Sequence, residues 1–216
     1  MKRVKRIIGT LCILFPVFLF LICGVMLIGI SDEGEDGDPA HASGLGLSDK
    51  VREYAAFVGD TAAEYNIHEY EKYLLAIMMV ESGGEGNDPM QSLGNSGLTE
   101  EEKTPSESIK AAVAYFAMLL QKADTLGCDL DAVIQAYNYG AGYIDYVSVR
   151  GKAHTFQLSC DFASSKCGSR KVKYNNPVAI AQNGGWRYDY GNMFYVYLVK
   201  PVSYTHLRAH ETDSYL

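Results

Sequence analysis

The segment "MMVESGGEGNDPMQ", residues 78–91, places one carboxylic acid at the end of an apolar stretch. Residues three or four apart on a helix share a face, and Leu74, Ile77 and Met78 lead by such steps to Glu81. Glu81 is therefore predicted on the buried side of a helix that ends before two glycines. Burial disfavours a charged carboxylate and the negative end of the helix dipole repels it, so both effects raise its pKa. A carboxyl that stays protonated near neutral pH can act as a general acid toward a glycosidic oxygen.

The alternative interpretation is that Glu81 points into water, because helix ends expose their last residues. Two further polar segments bear on this choice: "DPMQ" at residues 88–91 and "AYNYG" at residues 136–140. Amides, hydroxyls and aromatic faces are the groups that hold sugars, and these segments supply all three. Tyr137 also continues the apolar stripe of its own helix, so core packing alone would explain it.

Helical start signals recur along residues 47–200. Ser48 is a good N-cap for the first helix, "TPSE" supplies the cap Thr104 and a proline in the first helical position, and Asp129 caps a fourth helix. After Arg150 the pattern predicts a long polar loop, followed by an aromatic helix or strand in "WRYDYGNMFYVYLV". Strand patterns are scarce, which predicts a mainly α domain. The predicted helices begin at Ser48, Glu69, Thr104, Asp129 and Tyr143.

The N-terminus predicts a membrane anchor. Residues 1–6 contain four Lys and Arg, and residues 7–30 carry no charge. A helix of this uncharged length is long enough to span a hydrocarbon core of ~30 Å. The positive-inside rule places residues 1–6 in the cytoplasm and the rest outside, as a single-pass protein of the cell membrane. The alternative is a cleaved signal peptide, although its apolar core is normally only ~7–15 residues long.

Residues 31–46 are acidic and glycine-rich, which predicts a flexible linker. From Ser31 onward the chain has 15 Lys and Arg against 26 Asp and Glu. This acidic balance argues against nucleic acid as a partner, because phosphates would be repelled.

Five cysteines are present, three of them after residue 31. Cys160 and Cys167 bracket a polar stretch and could form a disulfide outside the cell; Cys128 would then pack as a small hydrophobic residue. No spacing matches a zinc site, so the sequence predicts no metal, and it indicates no cofactor.

"ESGG", "DPMQ" and "AYNYG", in this order, resemble the three motifs of the lysozyme-like lytic transglycosylases of glycoside hydrolase family 23. "GGEGNDPMQ", "SIKAAVAYF" and "QAYNYGAGYIDYV" are more similar still to the lysozyme-like domain of bifunctional cell-wall hydrolases carried on conjugative transposons of Gram-positive bacteria. The resemblance covers about residues 51–199 and implies a lysozyme-like helical domain behind the anchor.

The resemblance implies that Glu81 is the catalytic acid for the β-1,4 bond between N-acetylmuramic acid and N-acetylglucosamine in peptidoglycan. By the same comparison Ser82 and Gln91 line the cleft, and Tyr137 and Asn138 lie beside the acid and the bound sugar. Nothing in the sequence marks a second carboxylate as a partner for Glu81, and the resemblance favours a single-acid site. The acceptor is then water, in a muramidase, or the 6-hydroxyl of the sugar, in a lytic transglycosylase. The resemblance favours a muramidase, because the relatives look like muramidases, and it implies that the enzyme opens the wall for conjugation machinery.

Two features depart from the relatives. "MQSLGNSG" looks shortened relative to the corresponding loop of the relatives. The relatives usually carry a cysteine-dependent peptidase domain as well, and the given sequence ends before such a domain could begin, so truncation is one interpretation. Residues 201–216 contain "VSYTHLRAHET", which resembles a translated sequencing adapter, so we interpret them as a non-native tail and assign no role to its histidines. An alternative hypothesis, from another class of function, is that the chain is a non-catalytic, glycan-binding module of a conjugation apparatus.

Overall fold

In the computed structural model, residues 46–94 and 96–203 are described. The predicted membrane span at residues 7–30, most of the linker and the tail from residue 204 lie outside this part of the chain. None of the helices in the described ranges is both long and apolar enough to cross a bilayer.

The described chain is mainly helical, as predicted, with one two-stranded antiparallel sheet. A single 3₁₀ turn at His68–Tyr70 precedes α3. The elements in chain order are α1 (Asp49–Glu53), α2 (Ala55–Glu64), α3 (Glu71–Glu81), α4 (Pro105–Leu126), α5 (Leu130–Tyr139), α6 (Gly142–Ser148), α7 (Phe156–Cys167), β1 (Lys171–Lys173), α8 (Pro177–Asn183), β2 (Trp186–Tyr188) and α9 (residues 195–203).

The helix starts follow local capping chemistry. The side chains of Ser48, Thr104 and Asp129 accept hydrogen bonds from the backbone amides of Val51, Glu107 and Ala132, so the three predicted caps are confirmed. The first predicted helix is divided in two, because Tyr54 ends α1 and begins α2. The predicted boundary at residue 200 falls inside α9, where Val202 and Ser203 are buried.

The hydrophobic core surrounds α3, which fixes the position of its last residue. Leu74, Leu75, Ile77 and Met78 are fully buried. Helix α3 packs against α1 and α2, and α4 packs against α2, α5 and α6. The C-terminal end of α3 is thereby held inside the domain, where Glu81 follows the buried stripe.

The prediction of a long polar loop after Arg150 is wrong, because α7, β1, α8 and β2 occupy this region. Thr155 caps α7 by accepting from the amide of Leu158. The buried face of α7 consists of Ser159, Phe162 and Ala163. Small and polar residues on that face give weak hydrophobic periodicity, which explains why the sequence pattern did not reveal the helix.

The disulfide that the sequence left open between Cys160 and Cys167 is absent, since both cysteines lie on α7 and both are free. Seven residues of helix separate their Cα atoms by ~10 Å at 1.5 Å per residue. A disulfide needs Cα atoms within ~7 Å, so the bond cannot form without unwinding the helix.

Candidate active site

Glu81 is the last residue of α3. The residue as a whole is half-buried, and its carboxyl group is enclosed by protein atoms. The hydroxyl of Tyr195 donates a hydrogen bond of 2.5 Å to Glu81 Oε1. Burial raises the pKa of Glu81 to about 7, the negative charge of Asp88 adds to the rise, and the Tyr195 hydrogen bond opposes it. The predicted rise in pKa is confirmed. Near neutral pH this carboxyl holds a proton that an ordinary glutamate would have lost.

Tyr195 was not singled out in the sequence. It lies in α9, and its side chain is 2% exposed. Burial is the main cause that raises the pKa of its phenol well above the usual value, and the charge of Glu81 adds to it. Tyr195 is therefore a fixed, neutral donor that orients the carboxyl of Glu81. Helical spacing from Tyr195 to the buried Val199 and Val202 is the signal that could have placed Tyr195 on an interior face.

Asp88 is a second buried carboxylate, 6% exposed, in the loop after α3. Its Oδ1 accepts hydrogen bonds from the Ser92 amide at 2.9 Å and from Ser108 Oγ at 2.6 Å. Its Oδ2 accepts from the Leu93 amide at 3.0 Å and lies 4.0 Å from Lys103 Nζ. Asp88 thus ties the loop to the first turns of α4 through both of its carboxylate oxygens.

Ser108 completes this anchor from the α4 side. Its hydroxyl accepts from the Met90 amide at 3.0 Å, and its carbonyl accepts from the Ser92 hydroxyl at 2.7 Å. Ser108 is fully buried. The loop between residues 88 and 93, which we call the 88–93 loop, is therefore held rigidly beside the end of α3. Sequence reasoning missed Ser108 because its partners lie 16 to 20 residues away along the chain.

Ser82 and Tyr137 also hold the 88–93 loop in place. The hydroxyl of Ser82 donates to the carbonyl of Pro89 at 2.7 Å, and that of Tyr137 donates to the carbonyl of Met90 at 2.9 Å. Burial raises the pKa of Tyr137 well above the usual value, and the charge of Glu81 is the next cause. Tyr137 therefore lies within electrostatic reach of Glu81 and stays neutral.

Gln91 and Asn138 each leave one polar atom without a partner. Gln91 is exposed, with φ of 50°, and its Nε2 donates to the Asp88 carbonyl at 2.9 Å. Asn138 Oδ1 accepts from the Asn192 amide at 2.6 Å. Within the described residues, Gln91 Oε1 and Asn138 Nδ2 make no hydrogen bond, so each can bind a polar group of a ligand.

The other acidic residues near this loop do not point to a second catalytic carboxylate. Glu85 is exposed, as are Glu100, Glu101 and Glu102. Glu100 pairs with Lys103 at 2.6 Å, and Glu102 accepts from the Thr99 amide at 2.8 Å. Across residues 46–94 and 96–203, no three His, Cys, Asp or Glu side chains group as metal ligands would.

We expect Glu81→Gln to stabilise the fold relative to wild type by up to about 3 kcal/mol at about pH 8, and to have little effect at about pH 4. The pKa rises from 4.5 in the unfolded chain to about 7 in the fold. The folded state binds the proton more tightly, so wild-type stability falls as the pH rises through this window, whereas glutamine does not ionise. Urea unfolding at both pH values measures the difference.

Glu85→Gln is the matched control for that measurement, because Glu85 is exposed on the following loop. Its effect on stability should be small at either pH. An effect of Glu81→Gln that is the same at both pH values would contradict the raised pKa.

Comparison with known proteins places this geometry in a family. The model of the lysozyme-like family matches residues 48–203. The uncharacterised membrane protein YocA of Bacillus subtilis is 33% identical over 162 residues, which cover 73% of this chain and 70% of YocA. The bifunctional muramidase/DL-endopeptidase CwlT of B. subtilis is 31% identical over 167 residues, 74% of this chain and 50% of CwlT.

A solved structure shares the fold. A protein of Staphylococcus aureus described as similar to a lipoprotein of the NLP/P60 family superposes with a TM-score of 0.70 at 46% identity. The match covers 73% of this chain and 53% of the S. aureus chain. The chain thus spans about half the length of CwlT and of the S. aureus protein. From the extent of the family match and the shared helical fold, we conclude that the chain belongs to the lysozyme-like family.

Proposed function

We propose that the chain is an N-acetylmuramidase, which hydrolyses the β-1,4 bond between N-acetylmuramic acid and N-acetylglucosamine in peptidoglycan. The observation that carries the proposal is the buried carboxyl of Glu81, with a pKa of about 7 and a hydrogen bond from Tyr195. The relative CwlT, which is named as a muramidase, supports the same activity.

Glu81 is the general acid of the proposed reaction. Its proton passes to the glycosidic oxygen as the bond to the anomeric carbon breaks, and the leaving sugar departs as a neutral alcohol. The Glu81 carboxylate then takes a proton from the water that attacks the anomeric carbon, which restores the acid. Most glycosidases use two carboxylates, but Asp88 is occupied by its anchoring bonds. One acid that acts twice accounts for the described site.

The four remaining predicted residues have two kinds of role in this proposal. Gln91 Oε1 and Asn138 Nδ2 bind hydroxyl and acetamido groups of the sugars directly. Ser82 and Tyr137 are positioning residues, because their hydroxyls are committed to the carbonyls of Pro89 and Met90.

The cellular setting is part of the proposal. Residues 7–30 anchor the chain in the membrane and place the lysozyme-like domain on the wall side, where it opens peptidoglycan for a conjugation apparatus. The uncharged run supports the anchor, and the relative YocA is named as a membrane protein. The resemblance to hydrolases borne on conjugative transposons supports the link to conjugation.

Mass spectrometry of digested peptidoglycan tests the activity. Hydrolysis leaves reducing N-acetylmuramic acid ends, whereas a lytic transglycosylase leaves 1,6-anhydro ends. We expect reducing ends. Anhydro ends would replace the muramidase by the transglycosylase, and binding without any new ends would favour the non-catalytic module.

We expect Tyr195→Phe to lower kcat by about 10-fold or more and to move the alkaline limb of the kcat profile to higher pH. The phenylalanine cannot orient the carboxyl, which explains the lower rate. The lost hydrogen bond lowers the pKa of Glu81 in the wild type, so its removal raises that pKa. A merely structural role for Tyr195 would lower activity without moving the limb. Tyr197→Phe is the control, since Tyr197 lies on the same helix and is 43% exposed.

A further inference from the structure

The two-stranded sheet displays an unusual set of side chains on one face. In the antiparallel pairing of β1 and β2, Lys171 lies opposite Tyr188 and Lys173 lies opposite Trp186. Directly opposed residues of antiparallel strands project to the same side of the sheet. These four side chains therefore form one surface, which we call the hairpin face.

The hairpin face is turned to solvent because the other side of the sheet is buried. Arg187 is 8% exposed, and its guanidinium donates to the carbonyls of Tyr188 at 3.0 Å and Gly191 at 2.7 Å. Lys171 and Lys173 are exposed, and the aromatic residues opposite them are partly exposed. The buried guanidinium of Arg187 therefore fixes the position of the sheet, and the four side chains of the hairpin face are not needed for this.

The two lysines have no acidic partner within the described residues. By contrast, the neighbouring Arg170 forms an ion pair with Asp189. Lys171 Nζ lies 3.7 Å from the ring centroid of Trp186, so a cation–π contact holds the ammonium in place without neutralising it. Both ammonium groups remain available to an anion.

The surrounding region is basic in an otherwise acidic domain. Residues 150–200 contain eight Lys and Arg against two Asp and Glu, whereas residues 46–149 contain six against seventeen. A ligand with negative charges is therefore favoured at a surface built from residues 150–200, as the hairpin face is, over surfaces built from residues 46–149.

We propose that the hairpin face binds the carboxylate-bearing stem peptides and adjoining sugars of a peptidoglycan strand, outside the catalytic cleft. The inference rests on the proposed function. The lysines bind peptide carboxylates, and Trp186 and Tyr188 offer apolar ring surface to the C–H faces of the sugars. A glycerol phosphate polymer of the wall has charges that suit the lysines but no sugar ring in its backbone to suit the aromatic pair.

The hairpin face is directly connected to the candidate active site. Tyr195 follows Tyr188 by seven positions along the chain, a reach of at most ~25 Å for an extended chain. Within this connection Asn192 donates to Asn138, and Tyr195 donates to Glu81. In this proposal a single long glycan strand contacts both surfaces, so that binding at the hairpin face favours substrates that still carry peptides.

The test compares the full chain in detergent with its Lys171→Gln/Lys173→Gln variant on two substrates. One is peptidoglycan freed of wall polymers, and the other is the same material stripped of stem peptides by an amidase. We expect the variant to raise KM about five-fold on the peptide-bearing substrate, with kcat unchanged and no effect on the stripped strands. Lys110→Gln is the control, because Lys110 is also exposed and lies over an aromatic ring.

An unchanged KM on the peptide-bearing substrate, or an equal rise on both substrates, would overturn the inference. A loss that appears only on walls that retain phosphate polymers would overturn it too, since those polymers would then be the occupant. Sedimentation with insoluble peptidoglycan in a Glu81→Gln background measures the same surface without catalysis. If that binding depends on the two lysines while the wild-type chain cuts neither substrate, the proposed function fails and the binding surface stands.

Discussion

Replacing Glu81 with glutamine is expected to lower kcat/KM for cleavage of glycan strands by about 10³-fold or more while the helical fold is retained. An amide has nearly the size of the carboxylic acid, and its oxygen can still accept the hydrogen bond from Tyr195. It cannot deliver a proton to the leaving oxygen or take one from water. The loss therefore falls on the chemical step rather than on the position of α3.

Release of reducing ends from purified peptidoglycan measures this loss, and circular dichroism checks the fold. Glu85→Gln removes a carboxylate four residues away that is exposed to solvent, and it should cleave at the wild-type rate. Cleavage by Glu81→Gln at a rate close to wild type would remove Glu81 from the mechanism.

The second large effect is expected from Asp88→Ala, which should destabilise the fold by about 3–5 kcal/mol and abolish cleavage. The alanine leaves Ser108 Oγ and the amides of Ser92 and Leu93 without their acceptor. It also leaves the ammonium of Lys103, which is 9% exposed, without the nearby carboxylate. The 88–93 loop, which presents Gln91, then separates from α4.

Urea unfolding measures the change in stability. Asp124→Ala is the matched control, because Asp124 is exposed on the last turn of α4 and its side chain makes no hydrogen bond within the described part of the chain. Its effect should stay within about 0.5 kcal/mol. An Asp88→Ala chain as stable as this control would show that the buried network does not hold the loop.

The parts of the fold that were predictable from sequence depend on local signals. Ser48, Thr104 and Asp129 cap helices because each side chain needs only an amide three residues away. Glu81 was placed on an apolar stripe by the spacing of its own helix. The mainly α class and the lysozyme-like fold followed from these signals together with the three motifs.

The parts that could not be predicted depend on contacts between distant segments. Tyr195 reaches Glu81 across 114 residues of sequence, and no periodicity in either segment specifies that pairing. Nothing in the sequence marked Asp88 as an anchor of the loop, because its role comes from Ser108 on another helix. The sequence pattern did not predict helix α7, because its buried face contains Ser159 and Ala163 in place of large apolar residues.

The pKa of Glu81 depends partly on a local signal in the sequence and partly on contacts between distant segments. Desolvation was predictable, since a carboxyl on an apolar stripe must be buried, and burial is the largest cause of the rise. The charge of Asp88, which also raises this pKa, was not predicted from the sequence. The hydrogen bond from Tyr195, which opposes the rise, required the fold.

The pH dependence of kcat/KM of the wild-type chain on soluble glycan strands shows whether a protonated Glu81 drives cleavage. We expect activity to decline along an alkaline limb centred near pH 7, where Glu81 loses its proton. Activity that continues unchanged into alkaline solution, or that is already lost near the ordinary pKa of a glutamate, would contradict it.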